Sequence, residues 1–170
     1  MKEQIILLNG PSGSGKSTLA KTLQMHIQEK NKVIYDIISI DDFLEMTTDD
    51  AIYEDDVFEI SEELCNKALE VLEAKHGVII EHVITSERIF NQLKKMFSPY
   101  HVRLIHVTCP INVLKQREAE RKNRCLGSAE VSNEYLFPKE GYDLTVDTYA
   151  LTPEACSLLA NIAWQVHYRL

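Results

Sequence analysis

A chain of 170 residues with 45% hydrophobic and 26% charged residues has the size and make-up of one globular domain around one core. Its formal net charge of −8 speaks against nucleic acid or an anionic membrane as the main partner, and no apolar stretch approaches the roughly 18–20 residues that cross a bilayer. Cys65, Cys109, Cys125 and Cys156 are widely spaced and form no C-x-x-C pair, so they read as buried reduced thiols of a cytoplasmic protein.

Met1-Lys2-Glu3-Gln4 runs directly into a first strand over 3–9, without signal-peptide architecture. The strand leads into Gly10-Pro11-Ser12-Gly13-Ser14-Gly15-Lys16-Ser17-Thr18, a complete G-x-x-x-x-G-K-[ST] phosphate loop, and a helix is expected over 16–30. Glycines let the backbone wrap a phosphate, and the amides and positive end of the following helix face the anion. In such a loop Lys16 reaches the β- and γ-phosphates of a nucleoside triphosphate, and the Ser17 hydroxyl ligates Mg²⁺. Mg²⁺ and a nucleoside triphosphate are therefore the expected cofactors; ATP is the expected donor, although the loop itself leaves ATP and GTP both open.

A second strand is predicted over 33–38, followed by Asp41 and Asp42. These two carboxylates also suit the start of a short helix at Phe43-Leu44, and the two roles can coexist. The stretch 43–59 is acidic and mixed, and a helix over 61–75 is expected with Ser61 as its N-cap and Gly77 beyond its end. The third strand, Val78-Ile79-Ile80-Glu81, ends in a carboxylate. A helix over 86–97, a fourth strand over 102–107, a helix from Pro110 to about 122, a short strand over 144–146 and a terminal helix over 153–168 complete the chain.

Near-continuous apolar strands alternating with helices imply an α/β fold, a five-stranded parallel sheet with helices on both faces, and the phosphate loop makes the P-loop kinase type the expected one. Ligands of such sheets sit beyond the carboxyl ends of the strands. The acids at those ends are then the candidates for chemistry. Asp41 is the first choice for a general base that takes a proton from an acceptor hydroxyl, with Asp42 second. Ser17, Asp42 and Glu81 are the expected metal-side oxygens, Glu81 acting at one remove.

Arg117, Arg121 and Arg124 form a local cluster of the kind that balances charge on a moving phosphoryl group. From Ser39 to Lys75 there is no arginine, and the only lysines are Lys67 and Lys75. A nucleoside monophosphate would need arginine clamps there, so a neutral or cationic hydroxyl compound fits better. A nucleoside or nucleotide kinase and a non-catalytic nucleotide-binding regulator are the competing readings. The expected partner is a small-molecule hydroxyl acceptor, without nucleic acid or membrane; the sequence leaves the oligomeric state open.

Several segments taken in order resemble the chloramphenicol phosphotransferase-like family of P-loop kinases. They are Leu8-Asn9-Gly10, Asp41, Val107-Thr108-Cys109-Pro110 with Val113-Leu114, Arg117-Glu118 with Arg121 and Arg124, Gly127 with Ala129-Glu130, and Tyr142-Asp143-Leu144-Thr145-Val146-Asp147-Thr148. The resemblance implies an adenylate-kinase-like fold and transfer of the ATP γ-phosphate to a hydroxyl. It also implies Asp41 as base and the arginines as part of a lid over about 117–141, across one domain, 1–170, whose acceptor side spans about 43–75. The family typically has two aspartates after the third strand where this chain has Glu81-His82.

Overall fold

A computed structural model describes residues 4–31, 33–44, 53–120 and 127–166. Their elements run β1 (Gln4–Asn9), α1 (Lys16–Asn31), β2 (Tyr35–Ser39), α2 (Asp41–Leu44), α3 (Glu54–Glu73), β3 (Gly77–His82), α4 (Glu87–Met96), β4 (His101–Thr108), α5 (Ile111–Glu120), α6 (Ser128–Tyr135), β5 (Leu144–Asp147) and α7 (Pro153–Val166). The strands form one parallel sheet in the order β2-β3-β1-β4-β5. The α/β class with a five-stranded parallel sheet is as expected from the sequence.

Side chains of β1 alternate between two cores. Ile5 and Leu7 join Val78 and Ile80 beneath α3 and α4, packed with Leu64, Leu72, Ile89 and Leu93. Ile6 and Leu8 join Ile79 with Leu19, Leu23 and Ile27 of α1 and Cys156 of α7 on the opposite face. Each fully buried Leu or Ile contributes about 1.5–3 kcal/mol, and burial on both faces explains why the strands read as unbroken apolar runs. The chain order reverses at β1, which lies between β3 and β4, and the phosphate loop leaves the sheet at that switch point.

The two ends of α3 differ from expectation. Helix α3 begins at Glu54, seven residues before the expected Ser61 cap. Glu54, Asp55 and Asp56 occupy its first turn, where carboxylates favour the positive helix end, and the Asp56 carboxylate accepts from the Tyr53 amide. At its other end Lys75, with φ +66°, is the left-handed residue: the amides of Lys75 and His76 bond to Leu72 and Val71 carbonyls in a Schellman pattern. Gly77 instead opens β3, where a Cβ would come within 2.4 Å of the Tyr35 ring. Helix α6 was not anticipated from the sequence.

Candidate active site

The phosphate loop follows directly from where β1 ends. A Cβ at Gly10 would lie 2.1 Å from the Val107 carbonyl oxygen, so the chain can leave between β1 and β4 only as glycine. Gly13 and Gly15 take φ of +81° and +92°, and the Ser14 amide closes a turn onto the Pro11 carbonyl at 3.2 Å. The helical ladder of α1 starts with the Leu19 amide on the Gly15 carbonyl at 3.0 Å, so the Lys16, Ser17 and Thr18 amides lie in its opening turn. Sixteen residues of aligned dipoles stand behind them. The Lys16 ammonium arches back over the loop and donates to the Gly10 and Pro11 carbonyls at 2.8 and 3.0 Å.

Lys16, Ser17, Asp41 and Glu81 line one polar hollow, together with Ser39 and loop residues Gly13, Gly15 and Thr18. The register makes this possible, since Ser39, Glu81 and Leu8 are level across β2, β3 and β1. The Ser17 hydroxyl donates to Glu81 Oε2 at 2.7 Å. Burial raises the pKa of Glu81, and the Ser17 bond and the Lys16 charge oppose it, while Asp41 and Asp42 add to the rise. Asp41 is half-buried at the hollow's wall, whereas Asp42 is exposed and is not among its lining residues. A hydroxyl backed by a carboxylate, with a second carboxylate facing it, offers the hard oxygen donors that suit Mg²⁺. Among the described residues no group of three or more His, Cys, Asp or Glu side chains forms a metal cage. That is compatible with Mg²⁺, which keeps water and substrate phosphate as most of its ligands.

Arg117 reaches the loop from α5. Its guanidinium donates to the Gly13 carbonyl at 3.1 Å and to Thr148 Oγ1 at 3.4 Å, and Thr148 Oγ1 in turn donates to the Ser14 carbonyl at 2.6 Å. On the outer side of the loop a cleft of about 430 Å³ opens between Arg117 and the segment Thr148, Leu151, Pro153 and Cys156. Arg121 and Arg124, expected to share the arginine role, lie outside the described residues.

Sequence reasoning missed several residues that shape this site. Asn9 is fully buried: its Oδ1 accepts from the Ile84 amide at 3.0 Å, and its Nδ2 donates to the Phe137 carbonyl at 2.8 Å and Tyr142 Oη at 2.9 Å. A polar residue closing an apolar strand just before Gly10 was the available signal. Glu118 caps α6, and Ser132 of α6 accepts from the Ser12 amide at 3.0 Å. Ser61, expected as a helix cap, is buried inside α3. It donates to the Val57 carbonyl at 2.6 Å, which assigns the donor role in its 2.9 Å contact with His82 to the ring Nε2. Burial pushes the His82 pKa down to about 4, so the ring is neutral at pH 7. Arg88 of α4 lies 3.9 Å over the Phe58 ring and pairs with Asp55, placing a cation against the acidic helix α3.

A family model described as chloramphenicol phosphotransferase-like protein matches residues 3–165. The chain belongs to the chloramphenicol phosphotransferase-like family. Membership makes it one of a family of P-loop small-molecule kinases. The fold is also that of solved P-loop kinases. The Mycobacterium tuberculosis APS kinase CysC, solved in complex with AMPPNP and APS, superposes with a TM-score of 0.80 at 16% identity, over 96% of this chain and 98% of that one. A sugar kinase from Janibacter sp. HTCC2649 gives 0.70 at 19% identity over 96% and 95%, and a gluconokinase from Sinorhizobium meliloti 1021 gives 0.67 at 18% over 99% and 97%. Likeness at these identities shows the shared architecture. No match is found among curated proteins. No helix among the described residues is long and apolar enough to cross a membrane.

Proposed function

We propose that the protein is an ATP-dependent phosphotransferase that moves the γ-phosphoryl group to a hydroxyl of a neutral or cationic small molecule. One observation carries this reading: Lys16, Ser17, Asp41 and Glu81 face a single hollow beyond the carboxyl ends of β1, β2 and β3. The APS kinase that superposes on this fold was solved with an ATP analogue, which supports ATP as the donor.

The amides of Lys16, Ser17 and Thr18 bind phosphate oxygens, and Lys16 turns from the loop carbonyls to the β- and γ-phosphates. The nucleoside occupies the 430 Å³ cleft beside Thr148 and Pro153, with Arg117 between it and the phosphates. Ser17 and Glu81 would hold Mg²⁺, directly and through water, and the ion when bound neutralises charge on the phosphate oxygens. Glu81 is already bonded to Ser17 and buried, so it is committed to the metal side. Asp41, half-buried on the same hollow, takes the proton of the acceptor hydroxyl. Arg117, Arg121 and Arg124 balance the charge of the transferring group. The described arginine on the α3–α4 wall, Arg88, is engaged by Asp55 and Phe58, which suits an acceptor without a phosphate of its own.

The test is transfer from γ-labelled Mg·ATP to chloramphenicol and to a panel of neutral and cationic hydroxyl compounds. Transfer is expected to fall at least about a hundredfold in Lys16→Ala and in Asp41→Ala. Unchanged transfer in both variants would sink the assignment. Normal Mg·ATP binding with no transfer across the panel would favour a nucleotide-binding regulator instead.

A further inference from the structure

Glu118 is 7% exposed and is not among the residues that line the hollow. Oε1 accepts from Ser128 Oγ at 2.7 Å and from the Ala129 amide at 2.8 Å, and Oε2 accepts from the Gly127 amide at 2.9 Å. These are the opening groups of α6, whose own cap residue, Gly127, has no side chain to offer. Glu118 therefore caps a neighbouring helix, a carboxylate at the positive helix end. Apolar burial holds α6 only lightly, through a small cluster of Cys109, Leu114 and Ala129. The polar ties decide how the helix sits. At the next turn of α6, Ser132 Oγ accepts the Ser12 amide at 3.0 Å, while Arg117, next to Glu118, holds the Gly13 carbonyl. Two adjacent residues of α5 thus grip two adjacent residues of the phosphate loop, one directly and one through α6.

We propose that Glu118 is a positioning residue: by capping α6 it seats Ser132 on the Ser12 amide and so sets the shape of the phosphate loop for its ligand. The ligand half of this statement rests on the reading of residues 10–18 as an ATP site. A slight rotation of α6 about its N-terminus would lengthen and bend the 3.0 Å Ser12–Ser132 bond, and N–H···O bonds weaken steeply once their angle falls below about 120°. Glutamine at position 118 keeps one acceptor oxygen but turns an NH₂ group onto an N–H donor.

The experiment follows the Ser12 amide resonance of the full-length, ¹⁵N-labelled chain, together with the Kd for Mg·ATP by calorimetry, in wild type, Glu118→Gln, Ser132→Ala and the double variant. Glu118→Gln is expected to move the Ser12 resonance in the same direction as Ser132→Ala and to weaken Mg·ATP about tenfold, the loss of one charged bond's worth of loop order. The double variant should be no worse than the weaker single, since both act along one path. A Ser12 resonance at its wild-type position in Glu118→Gln, or additive losses, would overturn the proposal. Lys115→Ala, which cuts only the exposed Lys115–Glu130 pair between the same helices, should leave the resonance in place; a shift equal to that of Ser132→Ala would also overturn it. If Glu118→Gln does not fold, Ser128→Ala removes one donor to the same carboxylate, and a smaller shift in the same direction is then required. Failure of the wild type to bind Mg·ATP would defeat the kinase reading, while the Ser12 resonance would still decide the role of Glu118.

Discussion

Asp41 and Glu81 face the same hollow but differ in their surroundings. Glu81 is buried and accepts the Ser17 hydroxyl, so under the proposed function its neutralisation would weaken Mg²⁺ binding. Asp41 is half-buried and stands in the first turn of α2, just before the segment proposed to meet the acceptor. Asp41→Asn is therefore expected to lower kcat about 10²- to 10⁴-fold while leaving the Kd for Mg·ATP within about twofold, as single-turnover and binding measurements can separate. His82 gives a residue-scale prediction of another kind. Its folded pKa is about 4, against an ordinary value of 6.5. Between those values the unfolded chain binds a proton that the folded chain does not, so stability rises with pH across that window and levels off above it. The contribution is on the order of 3 kcal/mol between the two limits. Urea unfolding from pH 4 to 7 should show a smaller slope in His82→Gln than in the wild type, and equal slopes would refute the assignment.

At the scale of elements, helix ends carry much of the information. Glu54, Asp55 and Asp56 form the first turn of α3, ahead of the start that hydrophobic spacing indicates, and the Schellman end at Lys75 puts a side chain in the left-handed region. A non-glycine residue there costs about 1 kcal/mol. Lys75→Gly should therefore raise the melting temperature by about 2–4 °C, read by circular dichroism, with no change in nucleotide binding. The capping of α6 is the opposite case. Its start is satisfied by a carboxylate nine residues upstream on α5, which no local motif announces.

For the whole molecule, Asn9 is the junction. It sits at the end of the central strand and bonds to the loop after β3 and to the segment returning toward β5. Tyr142 continues this connection by donating to the Pro138 carbonyl at 2.7 Å and stacking on His106 at 4.7 Å. Asn9→Ala would leave the buried Ile84 amide and the half-buried Phe137 carbonyl without their partner. A loss of roughly 2–4 kcal/mol in urea unfolding is expected, with loosening of the phosphate loop that starts one residue later.

Much of this architecture was legible from local pattern. The phosphate loop between an apolar run and a helix, the strand–helix alternation and the acids at the ends of the second and third strands each reflect chemistry within a few residues along the chain. That was enough to indicate a parallel sheet and to bring Lys16, Ser17, Asp41 and Glu81 to one end of it. Arg117 was found for its charge, but its grip on Gly13 depends on how α5 packs. The exposure of Asp42, the buried Ser61–His82 pair, helix α6 and the clamps made by Asn9 and Glu118 were not legible. Each depends on bonds between residues that only the folded sheet brings together, 133 positions apart for Asn9 and Tyr142 and 120 for Ser12 and Ser132. Spacing along the chain specifies which groups a loop or helix presents, because backbone geometry is local. Which distant group satisfies a buried donor is decided by tertiary packing, because burial leaves that donor no water to turn to.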